Sequence, residues 1–168
     1  MTSYAALDDL ARAATGGWDE LAQRAAPSAL VDAALLQATV AAGNRSAWSL
    51  EAQAQADIAL VRMNDALERA SRHADTYMFP RYRAVMPLAA ELVQGSDLPG
   101  VVAAIALKRL YGTSVPEELR KGTQWADDYL RDLSKGTVSL GAVDATVAQP
   151  AGRMVSRPPA KAFDWERY

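Results

Sequence analysis

At 168 residues, half of them hydrophobic, the chain is long enough for one domain with a buried core and an extension. Its formal net charge of -2 speaks against a phosphate-binding surface, which needs to be basic. The absence of cysteine excludes disulfides, thiol nucleophiles and cysteine-type zinc sites. No apolar run approaches the ~20 residues that cross a bilayer. The N-terminal stretch holds Asp8 and Asp9 and no basic flank, unlike a signal peptide, so the expectation is a protein that stays in the cytoplasm where it is made.

Much of the apolar fraction is alanine, which favours helices and close helix packing. The first helix is predicted over 3–14, capped by Ser3, with Tyr4, Leu7, Leu10 and Ala14 on one face and Gly16–Gly17 behind it. A short helix over 18–25 stops before Pro27. A third starts at Ser28, carries Leu30, Val31, Ala34, Leu35 and Ala38, and ends at Gly43 and Asn44. From 48 to 78 there is neither glycine nor proline, which predicts one long helix that Pro80 ends. Its core stripe is read as Leu60, Met63, Asn64, Leu67, Ala70, Ser71, Ala74, Tyr77 and Met78, in preference to Ile58, Val61 and Asp65, which turns polar at its third member.

A turn around Pro87 and a short helix over 88–93 follow. Asp97 is placed to cap a helix over 98–111, apolar nearly all round and therefore assigned to the core. Ser114 and Glu117 form a capping box for a last helix running to Lys135, with Leu119, Ala126, Tyr129, Leu130 and Leu133 on its apolar face. The expected fold is thus an all-α bundle with one long helix, comprising residues 1–141. Residues 142–168 lack helical periodicity, contain Pro150, Pro158 and Pro159, and end in Phe163, Trp165 and Tyr168. Composition leaves two readings open: a strap packed on its own domain, or an extended arm that docks on a neighbour.

Catalytic chemistry is hard to assemble from these residues. His73 is the only histidine and is read as an ordinary helical residue. No glycine-rich phosphate loop occurs. The pairs Asp8–Asp9, Glu117–Glu118 and Asp127–Asp128 point about 100° apart on a helix; the first two suit helix N-termini and the third a solvated face. No catalytic, metal or cofactor site is therefore expected, and no enzyme. Arg81, Arg83, Lys108, Arg109, Arg120 and Lys121 interleave with Tyr77, Phe79, Tyr82 and Tyr111; an edge whose basic groups stay hydrated or meet acidic groups of a neighbour is favoured over a nucleic-acid patch.

One stretch carries a resemblance. Residues 77–141, YMFPRYRAVMPLAAELVQGSDLPGVVAAIALKRLYG and VPEELRKGTQWADDYLRDLSKGTVSLG, with a weaker match in SYAALDDLARAA, resemble the Mu-like tailed-phage family of head-to-tail connector proteins, the neck adaptors of head completion. The residues that carry it are Tyr4, Arg81, Tyr82, Pro87, Ala104, Leu107, Arg109, Leu110, Tyr111, Leu130, Gly136, Leu140 and Gly141. The chain departs from the pattern over about 26–50, where family members are shorter.

The resemblance implies a structural protein of the virion neck: a ring of copies of this chain, twelve-fold like the portal above it, that extends the DNA channel and offers a platform to a downstream neck or tail-terminator protein. DNA would pass through the lumen without specific binding, and no membrane is involved. The C-terminal arm would reach the portal with Phe163, Trp165 and Tyr168 as anchors, helped by Arg157 and Lys161. Arg81, Arg83, Arg109 and Arg120 would face the adjacent subunit. The competing expectations are a non-viral helical protein–protein interaction module, recognisable as a stable monomer or dimer, and a small-molecule enzyme or binding protein with a closed interhelical pocket.

Overall fold

The computed structural model describes residues 3–141, and over that range the protein is all α, with eight α-helices, one 3-10 turn and no strand. The segment 142–168 lies outside the described residues, and with it the proposed anchors Arg157, Lys161, Phe163, Trp165 and Tyr168.

Helix α1 spans Leu7–Ala13. Asp9, not Ser3, caps it: the Asp9 carboxylate accepts the Ala6 amide at 2.8 Å. Ser3 lies too far upstream to cap and works as a tether, its hydroxyl 3.2 Å from that of Ser71, which also accepts the Tyr4 amide at 3.1 Å. Helix α2 covers Gly17–Ala25. Its first residue has φ +57°, a left-handed conformation that glycine adopts without a Cβ clash. Helix α3, Ala33–Val40, begins later than Ser28 predicts, because Asp32 accepts the Leu35 amide at 2.7 Å and is the stronger cap. Its buried side is consequently Leu35, Leu36 and Thr39, whereas Leu30 and Ala34 are exposed.

Helix α4 is Leu50–Tyr82, 33 residues capped by Ser49, and the 3-10 turn Arg83–Val85 continues it. It is about 50 Å long at 1.5 Å per residue. Pro80 does not end it. A proline costs the helix one amide donor and crowds the preceding turn, yet Met78 and Tyr82 flank Pro80 and are both completely buried, so core burial on the two sides carries the helix through. The buried stripe is Ala52, Ala56, Ala59, Met63, Ala66, Leu67, Ala70, Ser71, Ala74, Met78 and Tyr82. Leu60 and Tyr77 are only half-buried and Asn64 is exposed.

Helix α5 is Ala90–Gln94 and α6 is Leu98–Leu110. Asp97 stands at the α6 N-cap without a side-chain capping bond. Leu98 and every residue from Val101 to Leu107 are buried, so α6 is the axis of the domain, as its all-round apolarity predicts. It packs most extensively against α4, then against α1 and the last helix. That last helix is divided. Helix α7, Glu117–Gly122, and helix α8, Gln124–Lys135, are separated by Thr123, whose buried hydroxyl donates to the Leu119 carbonyl at 2.8 Å. Pro116 takes the N-cap place expected for Ser114. Ala126, Leu130 and Leu133 bury against α4 and α6, while Leu119 and Tyr129 are half-buried. Gly136, at φ +78°, ends α8 and turns the chain towards Arg81, whose Nη1 donates to the Val138 carbonyl at 2.8 Å.

Candidate assembly surfaces

The basic residues expected at a single edge are distributed over the domain. Arg81 is half-buried at the end of α4, with its guanidinium 5.3 Å from the Tyr82 ring centre as well as on Val138. Arg83 is exposed and stands 5.8 Å from the Phe79 ring centre. Arg109 closes α6 beside the middle of α4, in a shallow depression with Arg62, Asp65 and Arg69. Arg120 and Lys121 both pair with Glu117 within α7, and Lys108 pairs with Asp127 of α8 at 2.6 Å. Asp127 is thus an interhelix partner where a solvated face was expected, while Asp128 pairs locally with Arg131. Of the interleaved aromatics, Tyr82 is core, Phe79 is exposed, and Tyr111 donates to Glu20 under the guanidinium of Arg24, 4.4 Å from its ring centre. That contact lifts the Tyr111 phenol above its ordinary range, through burial first and then the Glu20 hydrogen bond.

His73 lies half-buried on α4, edge-on to Tyr77 with ring centres 5.3 Å apart. Burial depresses its pKa; Arg109 and Lys108 push in the same direction and Asp127 opposes them. Among the described residues no group of acidic residues and histidine is placed to hold a metal ion, and no helix there is long and apolar enough to cross a membrane.

Two further surfaces stand out. The first is the outer face of α4. Leu50, Ala54, Ile58 and Val61 recur at helical spacing and are all exposed, Leu50 to 83% and Val61 to 67%. Ile58 and Val61 belong to the stripe set aside in favour of the Met63 side. It is the solvent face, and the signal was present in the sequence as a second apolar row opposite the alanine-rich one. Farther along, this face becomes charged, with Arg69 on Asp65 at 2.9 Å and Arg72 on Glu68 at 3.7 Å. The second surface is a groove of mixed character between α1, the start of α6 and the start of α8, where the half-exposed Trp125 ring lies against Gly100 beside Pro99 and Ala13, with Asp9, Arg12, Gln94, Ser96 and Asp97 around them.

Compared with known proteins, residues 4–157 match the family model described as Bacteriophage Mu, Gp36. The match reaches back through α1–α3 and forward to Arg157, so Lys161, Phe163, Trp165 and Tyr168 lie beyond it. No curated protein and no solved structure matches the chain.

Proposed function

The chain belongs to the bacteriophage Mu Gp36 family, and from that premise we propose that it is the head-to-tail connector of a tailed phage: a virion neck protein that forms a ring under the portal, extends the DNA channel and links the filled head to the tail. The observation that carries this reading is the family match over nearly the whole chain. It is supported by a fold whose described parts are structural, a 33-residue helix walled on one side by the core and open on the other. Such a helix can present one face to its own domain and one to a neighbour, which a closed ring requires of every copy.

The partners of this reading are other copies of the chain, in a ring matching the twelve-fold portal, the portal itself, and a downstream neck or tail-terminator protein. The C-terminal segment is the arm proposed to reach the portal, with Phe163, Trp165 and Tyr168 as anchors and Arg157 and Lys161 as their basic flank. Arg81, Arg83, Arg109 and Arg120 are proposed at the boundary between subunits; because Arg120 is already neutralised by Glu117, its share there is small. The mildly acidic chain suits passage of DNA, since a surface that bound phosphates would retard it. The work is mechanical and involves no cofactor and no catalysis.

The test is genetic and visual. Disrupting the gene in its phage should yield DNA-filled heads and separate complete tails under the electron microscope. Normal infectious particles at parental yield would sink the connector reading.

A further inference from the structure

We propose that residues 142–150 of the chain's own C-terminal segment lie extended along a trough on its helical domain, so that the free arm begins near Pro150. This placement goes beyond the connector role and does not depend on it. The point of departure is fixed on the domain. Leu140 is 1% exposed, and the Val138 carbonyl just before it is held by Arg81 at 2.8 Å. Gly141 has φ +125°, a conformation that side chains rarely adopt, and it sets the direction in which the chain leaves. Leu140 and Gly141 themselves line a depression together with Gln94, Ser96, Asp97 and Tyr129. Gln94, Ser96 and Asp97 also line the adjoining depression, which reaches Gly100 and Trp125. That pair in turn borders a third, beside Ala104 and Thr123. The three form one trough, and it starts where the chain leaves.

Connectivity, chemistry and length favour this occupant. A segment tethered at the rim meets the trough at an effective concentration on the order of millimolar, so a shallow surface of modest attraction suffices to hold it. The lining mixes polar groups, Gln94, Ser96 and Asp97, with the apolar Pro99, Gly100 and Trp125 ring. An extended chain needs both: its amides and carbonyls require polar partners, and its side chains alternate between two faces. The stretch AVDATVAQP has that alternation, with Val143, Ala145 and Val147 on one side and Asp144 and Thr146 on the other, and Pro150 ends it. The trough follows α6 from Asp97 to Ala104, about 10 Å at 1.5 Å per residue. Residues 142–150 reach about 30 Å when extended, enough to run its length. The family match also continues past Gly141 to Arg157, so this stretch goes with the domain, whereas Phe163, Trp165 and Tyr168 lie beyond it.

The experiment is limited proteolysis of the full chain. Thermolysin cleaves before apolar residues and has sites in both stretches, at Val143 and Val147 and at Val155 and Phe163. Mass spectrometry of the fragments should show cleavage within 142–150 slower than within 151–168 by about tenfold or more. Gly100→Arg obstructs the trough. Gly100 is exposed, and a Cβ there meets only Trp125 Cη2 at 3.9 Å, an ordinary contact, so the helical spectrum should stay unchanged while the difference in cleavage disappears. The converse variant, Val143→Asp with Val147→Asp, should shift the nuclear magnetic resonance signal of the Trp125 indole N–H and leave those of Trp18 and Trp48 in place. Phe163→Asp with Tyr168→Asp should move none of the three. Equal cleavage of both stretches in the wild type, a difference that survives Gly100→Arg, or a Trp125 signal unmoved by the changes at Val143 and Val147 would each overturn the proposal. Protection that falls on roughly hundredfold dilution would assign the trough to the segment of a neighbouring copy and overturn the own-chain occupant. None of these outcomes bears on the joining of heads to tails, which the particles decide.

Discussion

The hydroxyl of Tyr4 donates a hydrogen bond to the carboxylate of Asp75, joining the N-terminal segment to the long helix 71 positions away. Met86 Sδ lies 3.9 Å from the same hydroxyl, so three separate stretches of chain meet at one phenol. Burial, and then the bond to Asp75, hold that phenol well above the ordinary tyrosine range. Tyr4→Phe keeps the ring and removes the donor. It should lower stability by about 1–2 kcal/mol, the scale of a hydrogen bond to a charged acceptor in a half-buried setting. Urea unfolding followed by circular dichroism measures it, and an unchanged midpoint would mean that the bond contributes nothing net.

His73 gives the domain a sensitivity to mild acid. Its pKa in the folded state is depressed, first by burial and then by Arg109 and Lys108, with Asp127 opposing and the Tyr77 ring packed edge-on. The fold therefore favours the neutral ring. The sign follows from linkage: the contribution is fully present above the unfolded pKa, about 6.5, and is lost as pH falls through the folded value. Thermal melts of the wild type and of His73→Gln should be separated by more at pH 7.5 than at pH 5, with the wild type losing the greater part. Parallel melting curves at both pH values would refute the linkage.

Ile105 is 2% exposed at the centre of α6. Ile105→Asp places an unpaired carboxylate among apolar side chains and should cost about 3–5 kcal/mol, enough to unfold a marginal domain. A mutant that melts with the parent would show that α6 is not the axis of the core.

Pro80 offers the opposite sign. It is exposed inside α4 and supplies no amide to the carbonyl of Thr76. Pro80→Ala restores that donor in a helix already held by Met78 and Tyr82, and should stabilise the domain by about 1–3 kcal/mol. Calorimetry reads the change, and a lower melting temperature would show that the proline shapes a bend the packing requires.

The proposed arm predicts a separation of phenotypes. Deleting 157–168 should leave the melting of the helical domain unchanged while abolishing the joining of heads to tails in a complementation assay. A truncated chain that no longer folds would identify the segment as a strap on its own domain.

The all-α fold and the central place of α6 were legible because an uninterrupted apolar run of helix formers has few other solutions, and the long helix was legible from the absence of glycine and proline over 48–78. The errors came where a local rule met a stronger partner. Proline at 80 was overruled by the burial of its neighbours, Ser28 and Ser3 were outcompeted as caps by Asp32 and Asp9, and the helix expected after Ser114 divided at Gly122 and Thr123. The exposed surfaces were harder to see. Periodicity detects an apolar row but does not say which of two rows faces the core, and Ile58 and Val61 were weighed against Met63 and Leu67 on residue type alone. Alanine decided the matter: Ala52, Ala56, Ala59, Ala66, Ala70 and Ala74 complete the buried side. The basic residues fall on α4, α6 and α7, and order along the chain does not fix which helix ends meet.

Those alanines also determine how the domain answers to force. The buried face of α4 carries six alanines and the heart of α6 three, Ala103, Ala104 and Ala106, all side chains with no rotamers to switch. Where long side chains interdigitate, a helix can yield to shear by repacking them one by one. Where backbones approach across methyl groups, the separation is fixed by hard contact, and displacement of one helix must carry the other with it. A pair joined in this way is a stiff strut with little compliance along its length.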